Sequence, residues 1–157
     1  MPPQLLFDIA QIDLNKVLFD KEAIRDTIPH RGPIEQLDAV VYGDGELGRM
    51  VGYKDVRDDE FWVGGHIPGR PLLPGVLMVE AAAQLASMYM AKFEKWDGFI
   101  GFGGVDGVRF RQQVPPGNRL VILLQRIRIG HGRFIGKSQG LVNGNLAFEA
   151  EIHGVRM

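Results

Sequence analysis

One glutamate and one histidine stand apart in this chain. Glu80 is the only charged residue between Pro71 and Ala91, a stretch otherwise made of Leu, Val, Met, Ala, Gly, Gln, Ser, Pro and Tyr. Taking an isolated carboxylate out of water is costly, so such a group is protonated, paired or functional. Gln84 and Ser87 follow at spacings that share one face of a helix with Glu80. A polar stripe on an apolar helix suggests a lined pocket, with Gln84 placed to hold the Glu80 carboxyl. The plainer reading is a structural ion pair, or one helix position open to solvent. His66 lies in Gly64-Gly65-His66-Ile67-Pro68-Gly69-Arg70-Pro71, the densest Gly/Pro loop of the chain. Such a loop fixes the backbone and lets a ligand approach. Histidine is the usual proton acceptor near neutral pH, although a lone loop histidine is more often structural. Together His66 and Glu80 make a base and an acid, enough for an elimination or for proton abstraction beside a carbonyl.

Gly75 opens the apolar stretch just after Pro74. At a helix start the first N–H groups lack intrahelical partners and the dipole is positive. The Gly75 and Val76 N–H groups are therefore candidates for polarising a substrate carbonyl oxygen, an effect of about 3 kcal/mol per donor where it has been measured. The bland alternative is that Pro74-Gly75 simply begins a helix.

These residues need elements to hold them. Asp20 to Ile28 reads as a short helix with Asp20 as N-cap and Pro29 as its stop. Two strands are expected at 36–42 and 46–53 around the turn Gly43-Asp44-Gly45. From Pro74 to Phe93 apolar residues surround a helix on nearly every side, which predicts a buried one, and its alanines admit a closely packed sheet. Strands follow at 99–112, 119–129, 133–142 and 146–153, the last two joined by Asn143-Gly144-Asn145, a strong hairpin signal. The order predicts an α+β fold: one antiparallel sheet wrapped around a long central helix, in a single domain spanning residues 1–157.

Composition excludes several classes. The net charge of -1 argues against nucleic acid or an anionic membrane as partner. With no cysteine there is no disulfide, zinc ribbon or thiol nucleophile, and a reducing compartment fits. The first residues lack a basic region followed by an apolar run, so neither signal peptide nor anchor is expected, and the location is expected to be cytoplasmic. Glycines 101, 103, 104 and 107 miss the G-x-G-x-x-G pattern because position 106 is Asp. His30, His131 and His153 show no metal-ligand spacing. Arg109 and Arg111, alternating around Phe110, read first as a solvated face; a second reading joins them with Arg70 and Lys137 as a basic rim for an acidic carrier or a phosphopantetheine phosphate.

The run from Gly65 to Gln84 resembles the active-site signature of the (3R)-hydroxyacyl-[acyl-carrier-protein] dehydratases of the FabA/FabZ family, FabZ type: roughly G-H-F-P-G-x-P-x-x-P-G-V-L-x-x-E-A-x-A-Q. Every specified position agrees except Ile67, which stands in place of Phe. Ile28-Pro29-His30-Arg31, Gly104-Val105-Asp106-Gly107-Val108-Arg109-Phe110 and Val114-Pro115-Pro116-Gly117-Asn118 resemble further family motifs, so the likeness spans about residues 24 to 153. It implies a hot-dog fold, a homodimer or trimer of dimers, and a site at the dimer interface with histidine and glutamate from different subunits. It also implies a tunnel for an acyl-phosphopantetheine arm delivered by acyl carrier protein, and no metal or organic cofactor. Carried onto this chain, His66 removes the proton beside the thioester, Glu80 protonates the departing 3-hydroxyl and Gly75 N–H holds the carbonyl oxygen. Glutamate at 80 resembles FabZ, since the FabA type has aspartate there. The chain departs from the pattern at Gly32-Pro33-Ile34-Glu35-Gln36-Leu37-Asp38, at Gly101-Phe102-Gly103-Gly104 and at Arg111-Gln112-Gln113, positions that bear on chain length and carrier recognition. The rival expectations are a hot-dog thioesterase, a coenzyme A-linked hydratase and a non-catalytic acyl-binding scaffold.

Overall fold

A computed structural model describes residues 4–157. Helix α1, Lys21–Thr27, begins as its sequence predicts: the Asp20 carboxylate accepts a hydrogen bond from Ala23 N at 2.9 Å. Strands β1, Ala39–Asp44, and β2, Arg49–Asp55, form the first hairpin. Its turn lies further along than expected, at Gly45 to Gly48, because Asp44 Oδ1 accepts from both Glu46 N and Leu47 N at 3.0 Å. The long helix α2, Gly75–Phe93, follows a loop. Strands β3, Ile100–Phe110, β4, Arg119–Gly130, β5, Arg133–Val142, and β6, Asn145–Arg156, complete the chain.

The strands make one six-stranded sheet in the order β1-β2-β4-β5-β6-β3, antiparallel throughout. Helix α2 lies against all of them, which is the expected sheet around a helix. Small residues set the spacing. Ala81 and Ala82 are fully buried on α2. On β2, a Cβ on Gly52 would meet the Ala39 carbonyl oxygen at 2.7 Å and the side chains of Leu37 and Leu85 at 3.0 Å, so hairpin and helix approach closely because that side chain is missing. Leu85, Met88, Tyr89 and Met90 fill the concave side of the sheet with Ile122, Leu124, Phe134 and Phe148.

The outer face of the sheet is apolar too, through Val41, Val51, Leu123, Leu141 and Leu146. The N-terminal segment covers it. Phe7 is buried there with Leu5, Leu6, Ile9, Ile12 and Leu14 packed around. Gln139 pins this strap, accepting from Leu6 N at 2.8 Å and donating to the Gln4 carbonyl at 2.9 Å. The sequence pattern held no periodic signal for this segment, because it is neither helix nor strand.

Candidate active site

The loop carrying His66 hangs from a buried ion pair. Lys54 Nζ on β2 meets Glu60 Oε1 at 2.6 Å, with side-chain exposures of 1% and 5%. Glu60 also accepts from Trp62 Nε1 at 3.2 Å and from Arg57 N at 2.8 Å. The Trp62 ring is buried, and its carbonyl accepts from Gly65 N at 3.1 Å and His66 N at 2.7 Å. A line of contacts thus runs from the sheet to the His66 backbone. The His66 side chain is exposed, and its Nδ1 lies 2.8 Å from the Leu72 carbonyl oxygen. A carbonyl only accepts, so Nδ1 carries the proton and the neutral ring keeps a lone pair on Nε2. The next residue, Ile67, has φ 57°, a left-handed conformation that a β-branched side chain rarely adopts.

Glu80 lies one and a half turns into α2. It is not sealed in the core: its side chain is 22% exposed and faces a cavity of about 170 Å³. Ala83, Ser87 and Met90 line that cavity from the same helix face, and Phe134, Ile152 and His153 from the sheet. The paired reading of Glu80 meets an unexpected neighbour, His30, whose Nε2 is 3.8 Å from Glu80 Oε1. No regular spacing in the sequence links positions 30 and 80; the structure joins them by docking the segment after α1 onto α2.

Gln84 does that docking, and its expected role changes accordingly. Its Oε1 accepts from Gln36 N at 3.0 Å and Leu37 N at 3.2 Å, and its Nε2 donates to the Ile34 carbonyl at 2.7 Å. The carboxamide is therefore committed to backbone and does not hold the Glu80 carboxyl. The same bonds explain why β1 starts at Ala39 rather than at Gln36. Arg25 and Glu35 brace this segment at 2.6 Å, and the guanidinium holds the Glu35 carboxyl below the usual carboxylate range.

Gly75 and Val76 begin α2 as expected, after Pro74 and with no side-chain cap, so the first N–H groups stay available. Val76 is 72% exposed. Gly75 has a packing reason as well: a Cβ there would meet the Phe110 ring at 2.8 Å. Among the described residues no hydrogen bond or ion pair joins His66 to Glu80. Among the described residues three of the four basic rim candidates have partners: Arg111 pairs with Glu149 at 2.8 Å, Arg70 donates to Gln113 at 2.8 Å and Arg109 donates to the Val108 carbonyl at 3.1 Å. Among the described residues, one group of metal-ligating types converges, Asp106, Glu151 and His153, with donor atoms within 4.8 Å of one another. Pairing of β3 with β6 makes it, and His153 Nε2 already meets both carboxylates, at 3.1 and 3.0 Å.

A family profile described as the FabA-like domain matches residues 28–151, which include His66, Gly75, Val76, Glu80 and Gln84. The chain belongs to that family. Among its FabA-like relatives, the 3-hydroxyacyl-[acyl-carrier-protein] dehydratase FabZ of Bacillus pumilus is 41% identical over 136 residues, 86% of this chain and 94% of that protein. The protein of the same name from Clostridium botulinum is 36% identical over 135 residues, 85% of this chain and 92% of its own. Solved structures share the fold at lower identity. The dehydratase heterocomplex ApeI:P of Xenorhabdus doucetiae superposes with a TM-score of 0.71 at 16% identity, covering 85% of this chain and 90% of the matched one. The E. coli PaaI protein of the phenylacetic acid degradation operon superposes at 0.60 and 12%, covering 74% and 81%. The FabA-like chain thus has the hot-dog fold: a sheet wrapped around its long helix.

Proposed function

We propose that this protein dehydrates a (3R)-3-hydroxyacyl thioester on acyl carrier protein to the trans-2-enoyl thioester, in fatty acid synthesis or a related lipid or polyketide pathway. The observation that carries the reading is the division of labour between two proton-handling groups. In the neutral His66 ring the Nδ1 proton is engaged by Leu72, which leaves the lone pair on Nε2, while Glu80 faces a largely apolar cavity. In this reading Nε2 takes the proton from C2. Charge then builds on the thioester oxygen, where the N–H groups of Gly75 and Val76 at the start of α2 receive it. Glu80 gives its proton to the 3-hydroxyl, which leaves as water as the double bond forms. Gln84 contributes indirectly, by fixing the wall of the cavity beside Glu80. The elimination calls only on side chains and backbone groups of the protein.

The reading includes a homodimer, or a trimer of dimers, in which His66 of one subunit faces Glu80 of the other. Two features support it. No hydrogen bond or ion pair joins His66 to Glu80 among the described residues. The edge strand β3 exposes Phe102 at 49%, Val105 at 37% and Phe110 at 51%, an unpaired apolar edge of the kind proteins cover. A cytoplasmic location fits, and no helix among the described residues is long and apolar enough to cross a membrane.

The test follows a 3-hydroxyacyl thioester, on acyl carrier protein and on coenzyme A, by absorbance and mass. Enoyl thioester without free thiol is the expected result. Release of thiol would mean a thioesterase, and neither product from a folded oligomer would mean a binding or scaffold role.

A further inference from the structure

Glu80 has a neighbour whose placement is over-determined. His30 sits between two clamps. On one side the Arg31 guanidinium donates to the carbonyls of Ile28, His30 and Arg25, at 2.9, 2.7 and 2.7 Å. On the other, Gln84 binds the backbone of Ile34, Gln36 and Leu37. Gln84 is one helical turn from Glu80, so the contact that docks the segment also brings His30 beside the carboxyl. The imidazole lines the same cavity as Glu80. Its Nδ1 is buried and has no hydrogen-bond partner among the described residues, and its Nε2 is 3.8 Å from Glu80 Oε1. A histidine serving only to tie the loop down would use both nitrogens on backbone or side-chain partners. This ring is directed at Glu80 and at the cavity instead.

We propose that His30 is a positioning residue for Glu80, its Nε2 accepting a hydrogen bond from the protonated carboxyl and holding that carboxyl toward the cavity until the proton passes to the departing hydroxyl. The inference rests on the dehydratase reading. The present separation is longer than a hydrogen bond, and contacts of catalytic groups commonly tighten only when substrate enters. A neutral imidazole can accept from the protonated carboxyl and an imidazolium can pair with the carboxylate, so the contact links the two groups' protons. The ionisable groups facing His30 are Glu80 on α2 and His153 on β6, across the cavity. Arg31 beside it is turned onto backbone carbonyls.

The experiment is the pH dependence of kcat and KM for a 3-hydroxyacyl thioester, from about pH 5 to about pH 9, with wild type, E80Q, H30A and H30Q. All four are first checked for unchanged melting and oligomeric state. H30A is expected to lose about ten-fold in kcat, the rate equivalent of about one hydrogen bond, with KM nearly unchanged. The limb of the profile that E80Q abolishes should also move. H30Q, which can hydrogen-bond but cannot titrate, is expected to recover most of kcat while the limb stays displaced. Profiles of H30A and H30Q that superimpose on wild type, or a loss confined to KM, would overturn the assignment. Failure of the underlying reading looks different: wild type makes no enoyl product, or E80Q matches wild type.

Discussion

In the proposed mechanism two side chains carry the chemistry, and their environments suit different roles. His66 is exposed and has its tautomer set by one carbonyl. Glu80 is partly screened, faces a cavity and has a histidine close by. H66A and E80Q are each expected to lower kcat by about 10²- to 10⁴-fold, the usual contribution of general acid–base catalysis. Both should melt close to wild type, since neither side chain fills the core. Retention of near-normal turnover by both would remove the mechanism. At this scale the sequence was legible wherever composition clashed with context. Glu80 stood out because it alone is charged in an apolar run, and His66 because of its loop. His30 did not stand out: its partner is 50 positions away, and the contact exists only because Gln84, expected to serve the carboxyl directly, docks the intervening backbone.

Elements hold these groups in place, and two polar networks do most of the anchoring. The first is Lys54–Glu60, from which the His66 loop is suspended. Removing one partner of a buried pair leaves the other charge uncompensated, so K54M is expected to lose about 3–5 kcal/mol in urea unfolding and to lower kcat through a loosened loop. A stability within error of wild type would contradict this. The second closes the far end of α2. Tyr89 donates to Glu94 Oε1 at 2.8 Å, and Arg126 from β4 reaches both, at 2.9 and 2.6 Å. Burial, aided by the Glu94 carboxylate, pushes the Tyr89 hydroxyl from its ordinary 10.0 up to about 12. The folded protein therefore keeps this proton at a pH where the unfolded chain releases it. The stabilisation is complete below about pH 10 and is lost as pH rises toward about 12. Urea midpoints measured across that range should fall in wild type and fall less in Y89F. Element types and order were readable because apolar periodicity switches from helical to alternating around Trp96. Boundaries moved where side chains intervene: Asp44 shifted the first turn and Gln84 delayed β1. The N-terminal strap stayed hidden because irregular backbone leaves no period to detect.

The whole molecule looks unfinished as a single chain. One edge of its sheet is apolar and unpaired, and its two proton-handling groups do not meet. The proposed two-fold interface would account for both, by offering each subunit's His66 to the other's Glu80. The measurement that tests this most directly is subunit complementation. H66A and E80Q proteins, each inactive, are unfolded together, refolded as a mixture and assayed for enoyl thioester. With the site shared between subunits, half of the dimers are mixed and each holds one intact site, so the mixture should recover about a quarter of wild-type activity. A site built within one chain leaves no intact combination, and a mixture that stays inactive despite forming mixed dimers would contradict the account.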